Sequence, residues 1–315
     1  MNNQKISLEV LQKHGITAIL LVMIVGMCIV SPVFRTTGNV VNILLQVSSN
    51  GILSIGMLFV MIGGGIDLSI GSIIALTSVM LGQSLGMTGN LGAGIVIALV
   101  VPMLFALING FFISKFNMFP FVVTLATQLV IRGAAYLIGG GASVSLVSAE
   151  LREFGTGTLF GILPYPVICF LVIAVIAYVL LHMTRYGRYI YAVGGNSASA
   201  FASGVNVKLV TLSTYIFMGF CAAVAGIITT ARISASQPNI GTGLETDAIA
   251  ACVIGGTSFT GGIGSVPGAI VGIIMIGVIY NSMNLLQINS YWQTITKGVL
   301  ILLAVLLDIL ISKKK

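Results

Sequence analysis

The sequence predicts an all-α, polytopic transmembrane helical bundle. Its composition, its succession of long apolar runs and the placement of its basic residues predict this. Of 315 residues, 57% are hydrophobic and 7% are charged, where a soluble chain carries about 25% charged residues. Mean hydropathy is +1.12. So few charges cannot cover a water-exposed surface, so lipid must be the solvent for most of the chain. A crossing needs roughly 20 apolar residues, which leaves room for about ten crossings. No stretch is polar and long enough for a soluble domain, so residues 1–315 read as a single transmembrane domain.

The apolar segments fall at 16–34, 40–62, 68–87, 91–114, 119–138, 163–183, 209–231, 247–262, 266–284 and 291–311. The first follows Lys5 and Lys13 but lacks an A-x-A-like cleavage site, so it reads as a retained span. The eighth is interrupted by Gly255, Gly256, Gly261 and Gly262. A short helix followed by irregular, glycine-rich backbone is expected there. Such backbone is tolerated at membrane depth only where protein or a water-filled cavity shields it. IGGGIDLSIGS at 62–72 and IGGTSFTGGIGS at 254–265 form a faint internal repeat. Paired broken segments point to a transport pathway.

Basic residues orient the spans, because cytoplasmic loops carry the excess of Lys and Arg. With ten crossings and a cytoplasmic N-terminus, Lys5, Lys13, Lys115, Arg185, Arg188, Lys208, Lys313, Lys314 and Lys315 fall inside. Arg35, Arg132, Arg152, Arg232 and Lys297 fall on the outer side. Both termini are then cytoplasmic. The inner loop 184–208 is basic and small-residue-rich, and Asn196 is placed to cap a short helix in it. The net charge of +7 is accounted for by topology, and no basic face suited to nucleic acid is present.

Catalytic residues are not expected. Cys28, Cys169, Cys221 and Cys252 lie in apolar stretches without C-x-x-C spacing, so they read as small packing residues. His14 and His182 stand alone, and no metal site is expected. The chain contains no Gly-Lys dipeptide, hence no P-loop. It is expected to bind no cofactor, and any ATPase must be another polypeptide.

What remains are polar groups in an apolar setting, where a charge is costly and needs a partner or a function. Asp67, with Ser69, is placed to cap the helix starting at Leu68. Glu245 and Asp247 are placed to cap the eighth segment, with Arg232 as a partner for Glu245. Asn50, Asn109, Gln128, Asn281, Asn284 and Gln293 suit either helix packing or a neutral polar pathway. The pathway candidates are Asn50, Asp67, Ser69, Asn109, Gln128, Asp247 and Thr257.

Three blocks then carry a resemblance: GGGIDLSIGS at 63–72, TRYGRYIYAVGGNSASAFASGVNV at 184–207, and ARISASQPNIGTGLETDAIAACVIGGTSFTGGIGSVPGAIVG at 231–272. The chain resembles the ribose-type, carbohydrate-uptake branch of bacterial ABC transporter permeases, nearly end to end. The resemblance implies a permease homodimer in the bacterial inner membrane, with ATP-binding subunits on its cytoplasmic face. An extracytoplasmic sugar-binding protein would deliver the substrate, with ribose the first guess. The implied ATPase-docking loop contains Arg185, Arg188, Gly195, Asn196, Ser197, Ala198 and Gly204. Relatives carry an EAA-like stretch where this chain has Ser197, Ala198 and Ser199, so the acidic position is missing.

An ion-coupled secondary sugar transporter is the alternative. It would need an intramembrane relay of carboxylates or histidines. Besides Glu245 and Asp247, only Asp67 and Asp308 lie within or beside spans.

Overall fold

The computed structural model describes residues 2–145 and 148–312. The side chains of Lys5, Lys13, His14 and Asp308, and Lys313, Lys314 and Lys315 entirely, lie outside the described residues.

Helix α1 runs Asn2–Val30, and a 3-10 turn, Pro32–Arg35, leads into α2 (Thr37–Ile62). Then come α3 (Ile70–Thr88), α4 (Leu91–Phe116) and α5 (Pro120–Gly139). A connection carrying β1 (Val144–Ser145), α6 (Ala149–Thr156), β2 (Thr158–Leu159) and β3 (Leu163–Pro164) precedes α7 (Tyr165–Tyr178), which ends in a π-helical turn, Val179–Met183. The chain continues through α8 (Arg185–Gly195), α9 (Ser197–Ala202), α10 (Val207–Ile233), β4 (Ala235–Ser236), α11 (Leu244–Ile254), α12 (Val266–Leu285) and α13 (Ser290–Ser312). Strand β1 pairs antiparallel with β4, Val144 opposite Ser236. Strands β2 and β3 form a second antiparallel pair.

Helix starts carry sequence-encoded caps. The Asn90 side chain accepts the Ala93 N–H at 3.1 Å, and that of Asn206 accepts Leu209 N–H at 3.1 Å. Ser265 accepts Gly268 N–H at 3.2 Å, with proline in the first turn of α12. Each cap satisfies a donor that a helix leaves orphaned.

Among the described residues, seven helices are long and apolar enough to cross a membrane: α2, α3, α4, α5, α7 with its π turn, α10 and α12. The chain is an all-α polytopic membrane bundle. Helix α2 is its axis and packs against α7, α10, α11 and α12. From Val47 to Ile62 every residue but Asn50 is buried, the pattern of a helix enclosed on all sides. By contrast, α4 and α5 expose Leu104, Phe111, Phe121, Val122 and Leu129, a surface only lipid or protein can cover. Small residues set the close crossings. Gly219 of α10 faces Ala106 of α4, and Gly272 of α12 faces the Ala251 carbonyl of α11. Asn39 and Asn281 exchange hydrogen bonds of 3.1 and 2.7 Å between α2 and α12. Gln293 donates to Asn284 at 2.7 Å between α13 and α12. These amides therefore hold helices together.

The eighth apolar segment is a broken one, as its glycines foretold. Helix α11 has 11 residues, about 16 Å at 1.5 Å per residue, or half of a ~30 Å hydrocarbon core. Irregular backbone flanks it on both sides, at 237–243 and 255–265. Only the second stretch was expected. A second break separates α2 from α3, over 63–69. Cys221 and Cys252 are buried, and Cys252 Sγ donates to Ser54 O at 3.1 Å.

Candidate functional site

Two buried polar clusters sit at the breaks in the spans. The first lies in the α2–α3 break. Asp67 Oδ1 accepts the Ser69 backbone N–H at 2.8 Å and the Ser69 hydroxyl at 2.6 Å. Asn109 of α4 donates to Ser69 Oγ at 2.9 Å. All three residues are fully buried. Two residues that sequence reasoning missed complete the cluster. Tyr215 of α10 donates to Ile66 O at 3.3 Å, and Thr124 of α5 approaches the same carbonyl at 3.5 Å. Asp67 Oδ2 and Asn109 Oδ1 lack a hydrogen-bond partner among the described residues. The expected helix start at Leu68 is corrected: α3 begins at Ile70, because Asp67 closes a turn onto Ser69 first.

The second cluster lies at the start of α11. Asp247 pairs with Lys297 of α13 at 2.8 Å, and Tyr280 of α12 donates to the same carboxylate oxygen at 2.9 Å. Lys297 also donates to Gly243 O at 3.2 Å. Glu245 Oε1 accepts Gly243 N–H at 3.3 Å, and its neighbouring cations are Arg132 and Lys297. Arg132 of α5 donates to Pro238 O at 2.9 Å and Ile240 O at 2.8 Å. That guanidinium thereby satisfies backbone carbonyls that no helix or sheet satisfies. Arg232 is not the partner of Glu245: its guanidinium donates to Leu45 O at 3.0 Å.

The other pathway candidates are scattered. Asn50 and Gln128 are half-buried on α2 and α5 and join neither cluster. Thr257 is buried in the irregular stretch after α11, and its hydroxyl lacks a partner among the described residues.

At one end of the bundle, α8 and α9 form a compact element. The Thr184 side chain caps α8 through Gly187 N–H at 3.3 Å, and Asn196 caps α9 through Ser199 N–H at 2.9 Å, as expected. Arg185, Arg188, Gly195, Asn196, Ser197, Ala198, Gly204 and Lys208 are all exposed here, and Gly204 has φ of +83°. Inward, Tyr186 bonds Ser213 at 2.8 Å and Tyr191 donates to Gly264 O at 2.7 Å. Burial raises both phenols above their ordinary pKa, so each stays neutral. A cleft of about 1240 Å³ opens beside this element, bounded by the 63–65 turn, Ser114, Asn117, Asn206 and Thr211.

The family described as branched-chain amino acid transport system / permease component matches residues 39–305. A ribose import permease protein of Escherichia coli is 41% identical over 293 residues, covering 92% of this chain and 91% of the relative. A ribose import permease protein of Bacillus subtilis is 39% identical, covering 95% of this chain and 93% of the relative. A D-allose transport system permease protein of Escherichia coli is 40% identical, covering 96% and 93%. No solved structure matches the chain.

Proposed function

The chain belongs to the family of branched-chain amino acid transport system permease components, and from that premise we propose that it forms the membrane pathway of an ATP-binding-cassette sugar importer. Ribose or a related monosaccharide is the substrate. The observation that carries this reading is structural: two broken, polar spans meet one exposed basic element, α8–α9. A pathway needs the first, and an engine on another chain needs the second. The end-to-end likeness to ribose and D-allose permeases supports the substrate class.

The proposed topology has ten crossings. Seven are the long apolar helices. Helices α1 and α13 add two, and the composite of 235–243 with α11 adds the tenth. Both termini and α8–α9 then face the cytoplasm. ATP-binding subunits dock on Arg185, Arg188 and the α9 surface, and a sugar-binding protein approaches the opposite face. A second copy completes the pathway. The chain itself binds no cofactor and hydrolyses no ATP. Closure of the ATPase pair would shift the permease between outward-open and inward-open states.

Cells lacking this chain but retaining its partners test the assignment. Labelled ribose uptake should return with the chain on a plasmid. Restoration of another monosaccharide only would keep the class and change the substrate. Restoration of none would contradict the assignment.

A further inference from the structure

Three glycine-bearing segments meet backbone to backbone at the inner end of the bundle. The last turn of α8 carries Gly194, which lies directly against the Ile62 carbonyl, at the end of α2. A Cβ on Gly194 would overlap that oxygen and come within 2.7 Å of Gly262 N. Gly262 N donates to Ile62 O at 2.8 Å. This bond satisfies a carbonyl that the end of α2 leaves without a helical partner. Gly261, at φ of +87°, faces Gly64 Cα and Gly194 O; Gly64 itself has φ of +83°. At Gly261 positive φ and this closeness together leave no room for any side chain larger than hydrogen, and at Gly64 the positive φ alone favours glycine. One further bond reinforces the contact, from Tyr191 to Gly264 O.

Consequently α8 touches both breaks at once: the 63–69 break leading to Asp67, and the 255–265 break between α11 and α12. Side chains can absorb a small displacement by changing rotamer, but backbone packed on backbone cannot. We propose that Gly194 is the positioning residue through which movement of α8 is passed to both broken spans, so that ATP hydrolysis and transport stay coupled. The inference rests on the permease reading above.

The test uses the complete transporter, with its ATP-binding and sugar-binding partners, in proteoliposomes, and reads labelled ribose imported per ATP hydrolysed. Gly194→Ala should leave hydrolysis near its normal rate while import per ATP falls by roughly tenfold, the scale of a typical coupling free energy. Gly133→Ala is the control, because a Cβ there meets nothing within 4 Å, and it should behave as the unsubstituted chain. If hydrolysis and import fall together, Gly194 acts in docking and the inference is overturned; an unchanged ratio overturns it too. If Gly194→Ala does not assemble, Tyr191→Phe decides, since it removes only one hydroxyl. Import per ATP should then drop about threefold, the scale of one hydrogen bond, and a normal ratio would overturn the inference. No ATP-driven import by the unsubstituted chain would instead overturn the permease reading, and this inference with it.

Discussion

Lys297 Nζ lies 2.8 Å from Asp247 Oδ1, an ion pair that ties α13 to the first turn of the half-length helix α11. Asp247 is almost fully buried, and Tyr280 donates to the same oxygen. Removing one member of a buried pair strands the other, at a cost of about 3–5 kcal/mol. Lys297 is 23% exposed, so Lys297→Met should fall at the lower end, about 3 kcal/mol. Adding Asp247→Asn should recover much of that loss. Thermal unfolding of the detergent-purified protein checks the cycle, and strictly additive losses would show that the pair is not coupled.

Arg132 holds the irregular backbone ahead of α11 through Pro238 O and Ile240 O. Arg132→Met leaves both carbonyls unpaired, at about 1–3 kcal/mol for each one that water cannot reach. Hydrogen exchange should rise at 237–243 while the amides of α2 stay protected. Unchanged exchange in that stretch would contradict the assigned role.

Asn109 anchors the other break by donating to Ser69 Oγ. Asn109→Leu fills similar space without a donor, leaving the buried Ser69 hydroxyl oxygen without the donor it accepts from. A stability loss of about 1–3 kcal/mol is expected, with sugar uptake reduced at normal membrane abundance. Ser69→Ala should weaken the same turn, because it removes the hydroxyl bonded to Asp67. Quantitative immunoblotting beside uptake separates lost function from lost protein.

Arg185 and Arg188 are exposed on α8, and Lys208 lies nearby at the start of α10. A basic surface of this kind favours an acidic partner and is screened by salt over about 8 Å at physiological ionic strength. Charge reversal of both arginines, Arg185→Glu with Arg188→Glu, should sharply reduce co-purification of the ATP-binding subunit. The unfolding temperature should hardly move, since exposed charges contribute little to stability. Retained co-purification would place the docking surface elsewhere.

Much of this architecture could be read from residues. The long spans follow from apolar runs, and the break around 255–262 from its glycines. The α9 cap at Asn196 and the Asp67–Ser69 turn were visible because Asn, Asp and Ser bond locally to the backbone. The rest depends on distant partners. Tyr215 and Asp67 are far apart in sequence, and no local pattern places a phenol over Ile66 O. Arg232 looked like a partner for Glu245 because it precedes it closely, yet the helix directs it to Leu45 O. The irregular stretch before α11 was missed because what holds it is Arg132, on α5. Gly194 reads as one more small residue until the fold sets it against Ile62.

The energy source is the most direct test of the central claim. The measurement is labelled ribose import into proteoliposomes that hold this chain with its ATP-binding and sugar-binding partners. Import should require ATP inside the compartment that faces α8–α9, and it should collapse when the P-loop lysine of the ATP-binding subunit is mutated. A protonophore should leave it intact. Import that survives the lysine mutation but is lost with the protonophore would contradict the account and establish an ion-coupled transporter.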